Sequence, residues 1–93
     1  MIEKRSTTIL LIDDDPSIRL SINDFLSDYN FTVINAENGL TGLQFFHEIQ
    51  PDLVLLDLRM PDMNGLEVLE KIKQKYMEYI QTVKHLKNML LID

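Results

Sequence analysis

The stretch ILLIDDDP, residues 9–16, runs four apolar residues straight into three aspartates and a proline. Like charges this close disfavour one another's ionisation, so the crowding needs compensation, and a cation supplies it most directly. The wider run TTILLID, residues 7–13, is continuously apolar from Ile9 to Ile12 rather than alternating. A strand buried on both faces between two helix layers has that pattern, and parallel sheets are built of such strands. Asp15 followed by Pro16 reads as a helix start. The carboxylate accepts a first-turn amide, and the proline ring fixes a φ that suits the first helical position.

Outward from this stretch, Ile18, Ile22, Phe25, Leu26 and Tyr29 recur at helical spacing, and Asn30 marks a turn. FTVINA, residues 31–36, reads as a second strand, and Asn38-Gly39 punctuates it. Leu40, Leu43, Phe45, Phe46 and Ile49 line a second helix, which Pro51 breaks. DLVLLD, residues 52–57, is a third strand, again continuously apolar; the loop LRMPDMNG follows, and a third helix starts near Gly65. Strands alternating with helices predict an α/β fold with a parallel sheet and right-handed crossovers. Such sheets bind ligands outside the carboxyl ends of their strands. Asp13 and Asp14 end the first strand and Asp57 ends the third. If those strands are neighbours, three carboxylates meet in one place. Hard oxygen ligands without histidine or cysteine suit Mg²⁺ or Mn²⁺.

Composition narrows the function classes. The 93 residues predict one domain with a small core. With no cysteine there is no disulfide framework and no thiolate metal site. The N-terminal MIEKRSTTIL lacks the apolar core of a signal peptide, and no apolar run approaches the roughly 18 residues of a membrane span. The expectation is a cytoplasmic protein with no membrane partner. The net charge of −6 is concentrated in residues 1–61, which carry ten acids and four bases, against five of each in residues 62–93. No basic face points to nucleic acid. Lys71, Lys73 and Lys75 sit among acids and read as a solvated helix face. Met60 and Met63 read as packing, and His47 and His85, which lack partner motifs, as surface residues.

ILLIDDDP and LVLLDLRMPDMNGLEVLEKIK together resemble the receiver domain of bacterial two-component response regulators, the CheY-like family, over residues 8 to about 75. The resemblance implies a flavodoxin-like parallel sheet with flanking helices, in a signalling module rather than an enzyme. It implies that Asp57 is the phosphoacceptor, taking a phosphoryl group from a histidine kinase. Asp14 would ligate Mg²⁺ directly and Asp13 mainly through water, with Asp57 and the Arg59 backbone carbonyl completing the protein ligands. Asp15 would cap the first helix. Haloacid-dehalogenase phosphatases also place an aspartate after an apolar strand, but with a second aspartate two residues on, where this chain has Arg59.

The resemblance also implies a fourth strand ending in Thr or Ser and a fifth ending in lysine before proline. Neither is assigned; Thr82, Lys84 and Lys87 lie in the wrong kind of segment. Leu69, Ile72, Tyr76, Tyr79, Val83, Leu86 and Leu90 instead follow a heptad spacing. With no breaker from Leu66 to Leu91, the third helix is expected to extend across that stretch, about 39 Å at ~1.5 Å per residue. The expectation is an incomplete receiver of three strands and three helices, with its core in residues 1–75 and a helical tail in 76–93. The third strand would then have a bare edge. A homodimer or domain-swapped oligomer through the long helix follows, and with it the alternative of a dimerising or partner-binding module without efficient phosphorylation. The other reading of the tail is that MLLID, residues 89–93, supplies a strand at that edge.

Overall fold

The computed structural model describes residues 6–62, 64–83 and 88–92, with the backbone alone from residue 76 onward. The apolar run forms β1 (Thr7–Ile12), followed by α1 (Pro16–Leu26), a 3₁₀ turn (Ser27–Tyr29), β2 (Phe31–Ala36), α2 (Gly39–Ile49), β3 (Leu53–Asp57), α3 (Gly65–Val83) and β4 (Asn88–Ile92). The sheet order is β2-β1-β3-β4, and every neighbouring pair is parallel. β1 is flanked on both edges, and Ile9 to Ile12 are at most 1% exposed.

Local chemistry sets the element boundaries. The Asp15 side chain accepts the Ser17 N–H at 2.8 Å, with Pro16 opening α1. Asn30, at φ 56°, ends the 3₁₀ turn in a left-handed conformation that asparagine tolerates. Asn38 caps α2 by accepting the Thr41 N–H at 2.8 Å. Gln50, at φ 51°, closes α2, donating its N–H to the Phe46 carbonyl just before the buried Pro51.

Right-handed crossovers decide which face each helix covers. The step from β1 to β2 runs one way across the sheet; the steps from β2 to β3 and from β3 to β4 run the other. One face therefore carries α1 and the other carries α2 and α3. Leu10, Ile12, Ala36, Phe46, Val54, Leu56, Met60, Val68 and Ile72 form the core beneath α2 and α3. Gly42 lets α2 settle against β1: a Cβ there would lie 2.6 Å from Cδ1 of Ile12. α1, alone on its face among the described residues, contains no fully buried residue.

The receiver-like α/β class stands, and the tail corrects the expected layout. α3 ends at Val83 after 19 residues, a rise of about 28 Å, and does not continue to Leu91. Residues 88–92 form β4, registered from Leu53↔Asn88 to Asp57↔Ile92. The sheet thus has four strands among the described residues where the helical reading of residues 76–93 gave three, and residues 88–92 belong to the same sheet as β1, β2 and β3. The physical reason is the edge of β3. Its unpaired amides and carbonyls are a template for a strand, and a short apolar run such as MLLI fits a buried strand as well as a helix.

The heptad positions are divided accordingly. Ile72 is 1% exposed within the core, and Leu69 packs against that core. Tyr76, Tyr79 and Val83 lie on the later turns of α3, and Leu90 lies in β4 opposite Leu55. Leu86 is outside the described residues. The seven positions do not form one helical stripe.

Candidate metal centre

β1 and β3 are direct neighbours, and their register of Ile12 with Leu56 sets Asp13 beside Asp57. One carboxylate oxygen from each of Asp13, Asp14 and Asp57 lies within 4.8 Å of the other two. Their environments differ. Asp14 is exposed and Asp57 half-buried, whereas Asp13 is 1% exposed. The Asp13 backbone is fixed on both sides: its N–H donates to the Ala36 carbonyl at 3.1 Å, and its carbonyl accepts from Arg19 Nη1 at 2.6 Å. Its Oδ1 accepts the Asp15 N–H at 2.9 Å. Its Oδ2 is buried with no hydrogen-bond partner.

These surroundings push the Asp13 carboxyl above its ordinary value of 3.8. Burial is the largest cause, followed by the opposing bond from the Asp15 amide, then by the charges of Asp57 and Asp14 and the closeness of the Asp57 carboxyl. An acid held this way gains when a positive charge arrives.

Asp57 is held by the loop that follows it. The Arg59 N–H donates to Asp57 Oδ1 at 2.9 Å, which fixes the plane of the carboxylate. The loop closes where the Gly65 N–H donates to the Leu58 carbonyl at 3.3 Å. Gly65 is needed there, since a Cβ would lie 2.2 Å from the Leu58 Cα. Met60 is buried in the core, and Asn64 accepts the Leu66 N–H at 2.8 Å, starting α3.

The donor set fits a hard divalent cation. All three donors are carboxylate oxygens, and opposite ligands of an octahedral Mg²⁺ with ~2.1 Å bonds are about 4.2 Å apart. A spread of up to 4.8 Å allows two direct ligands with the third bridged by water. The orphaned Asp13 Oδ2 is the buried acceptor that such a water or ion would satisfy.

Other residues singled out in the sequence fall away from this cluster. Lys71, Lys73 and Lys75 are exposed on α3, and His47 is exposed with its ring 5.9 Å from that of Phe46. Thr82 lies within α3 rather than at a strand end. Met63, Lys84, His85 and Lys87 are outside the described residues. Among the described residues, no helix is long and apolar enough to cross a membrane. Two residues that brace the site were given no role in the sequence reading. Arg19 on the Asp13 carbonyl and Asp62 on the Gly39 amide are tertiary contacts with no local signature.

A sequence profile described as the response regulator receiver domain matches residues 9–88. The chain belongs to this family. The receiver domain is 44% identical over 77 residues to the nitrate/nitrite response regulator protein NarL of Escherichia coli strain K12, covering 81% of this chain and 36% of that protein. It is 41% identical over 68 residues to the chemotaxis protein CheY of Listeria monocytogenes, covering 72% of this chain and 57% of that one. It thus spans from about a third to somewhat over half of these relatives. Among solved structures it resembles the response regulator protein TrrA of Thermotoga maritima, crystallised in complex with Mg(2+)-BeF. That likeness has a TM-score of 0.75 and 27% identity, and covers 94% of this chain and 87% of that one.

Proposed function

We propose that this receiver domain accepts a phosphoryl group on Asp57 from the phosphohistidine of a histidine kinase, in a Mg²⁺-dependent step of two-component signalling in the cytoplasm. The observation that carries the reading is the buried, unpartnered Asp13 Oδ2 in a cluster with Asp14 and Asp57. The T. maritima relative solved with Mg(2+)-BeF supports the same ligand chemistry.

Asp14 and Asp57 would hold the ion with the Arg59 carbonyl, and Asp13 mainly through water. When bound, Mg²⁺ cancels repulsion among the acids and stabilises charge on the transferring phosphoryl group. The protein's own part is positioning. With Oδ1 of Asp57 engaged by the Arg59 amide, Oδ2 is the nucleophile. It attacks phosphorus; the new P–O bond forms as the P–N bond of the phosphohistidine breaks. The imidazole leaves with the bonding electrons and then takes up a proton. Arg19 and the Ala36 carbonyl keep Asp13 in place throughout. The acyl phosphate product adds charge and strong acceptors, which suits a switch. Incubation with acetyl phosphate and Mg²⁺ should add the mass of one phosphoryl group to the wild type and none to Asp57→Asn. A wild type that gains no mass would remove the reading.

One observation favours a second reading. Ile92 of β4 stands opposite Asp57, where the family resemblance implies a hydroxyl-bearing strand end, and no phosphoryl-contacting lysine is assigned. A module lacking those groups would act by binding a partner or itself, as a homodimer or swapped oligomer, through the later turns of α3 or the outer edge of β4. Sedimentation velocity over a wide concentration range separates the two readings. A monomer that takes up phosphoryl groups removes the second.

A further inference from the structure

The loop between β3 and α3 is anchored at several points over its described residues, 58–62 and 64, most of them local. The Arg59 amide sits on Asp57, the Leu58 carbonyl on Gly65, and Met60 in the core. A hydrogen-bonded anchor reaches α2. Both carboxylate oxygens of Asp62 accept the N–H of Gly39, at 3.0 and 3.2 Å, from 23 residues away in sequence. That amide is one of the four that a helix leaves unsatisfied at its start, and the positive end of α2 favours a carboxylate there. α2 also has its own cap, since Asn38 accepts the Thr41 N–H. The Asp62 contact therefore does more for the loop than for the helix. Pro61, with its fixed φ, stands between the anchored Asp62 and the buried Met60, so little slack separates α2 from Arg59.

We infer that Asp62 is a positioning residue for Asp57: by pinning the loop to α2, it keeps the Arg59 amide on Asp57 Oδ1 and presents the other oxygen to the phosphoryl donor. The inference rests on Asp57 being the phosphoacceptor and assigns a role to a residue outside the carboxylate cluster.

The test compares Asp62→Ala, Asp62→Asn and Asn38→Ala in the whole chain. Two quantities are read: exchange of the Arg59 amide without metal, and the rate of phosphoryl uptake from acetyl phosphate at saturating Mg²⁺. Asp62→Ala should speed Arg59 exchange about tenfold. It should slow uptake by about three- to tenfold, the scale of a small misplacement at a reacting atom. Asp62→Asn keeps an acceptor oxygen and should recover most of both. Asn38→Ala strips a cap from the same helix end; it should lower the melting temperature yet leave exchange and uptake near wild type. An Asp62→Ala variant matching wild type in both readouts, or an Asn38→Ala variant losing as much as Asp62→Ala, would overturn the inference. A wild type that takes up no phosphoryl group overturns the phosphoacceptor reading and this inference together. Normal wild-type uptake with an unimpaired Asp62→Ala overturns this inference alone.

Discussion

Asp52 and Asp13 flank opposite ends of one strand pair, β1 with β3, and their surroundings differ sharply. At the amino end, Asp52 closes a reciprocal pair with Thr8: its Oδ2 accepts the Thr8 N–H at 2.8 Å, and its own N–H donates to the Thr8 carbonyl at 2.9 Å. It is exposed, and its work is finished within the fold. At the carboxyl end, Asp13 is buried, crowded by two other acids, and left with an unpartnered oxygen. An acid beside a strand is therefore no sign of function by itself. The sign is an acid whose electrostatic needs the protein leaves unmet.

Substitutions at the two ends test this contrast. The largest effect belongs to Asp57→Asn, which should abolish Mg²⁺-dependent phosphoryl uptake entirely, read by intact-protein mass. Next is Asp13→Asn. Removing the buried charge should stabilise the metal-free protein by on the order of 1–3 kcal/mol, the scale of one buried unsatisfied polar group. Mg²⁺ should raise the melting temperature of the wild type, and the same change should abolish that rise. If Asp13→Asn destabilises the metal-free protein instead, the site is not strained as described.

The pH dependence is subtler. Asp13 in the folded state holds its proton to higher pH than its ordinary 3.8. In the window above that value, the folded chain keeps a proton that the unfolded chain has released. This carboxyl therefore makes stability fall as pH rises. Urea unfolding of wild type minus Asp13→Asn across pH 4–7 should show that fall without metal and lose it in saturating Mg²⁺. The smallest effect is at the other end. Asp52→Ala should cost about 1 kcal/mol through the lost Thr8 bond and leave the Mg²⁺ response unchanged.

Much of the site was legible because it follows from strand ends. The uninterrupted apolar residues before Asp13 and Asp57 marked two buried parallel strands, and adjacency of those strands sufficed to gather the acids. The Asp15-Pro16 cap was legible for the same local reason. The tail was not. Leu69 and Ile72 do face the core from a helix, so the heptad spacing is real at its start. Past Val83 the same spacing reaches Leu90, which pairs with β3, because a few apolar residues separated by polar ones satisfy either periodicity and only the empty edge of β3 decides. The hold of Asp62 on α2 was invisible because nothing within a few residues of either partner encodes it.

Among the described residues α1 is the single helix on its side of the sheet, and this bears on motion. With no residue sunk out of solvent, α1 has less to lose on detaching than α2 or α3, so it should peel away at energies well below global unfolding. Its first turn begins at Asp15, whose amide grips Asp13. Each excursion of that helix would loosen the grip on the buried acid, so more frequent breathing of α1 should shorten the residence time of a Mg²⁺ held there.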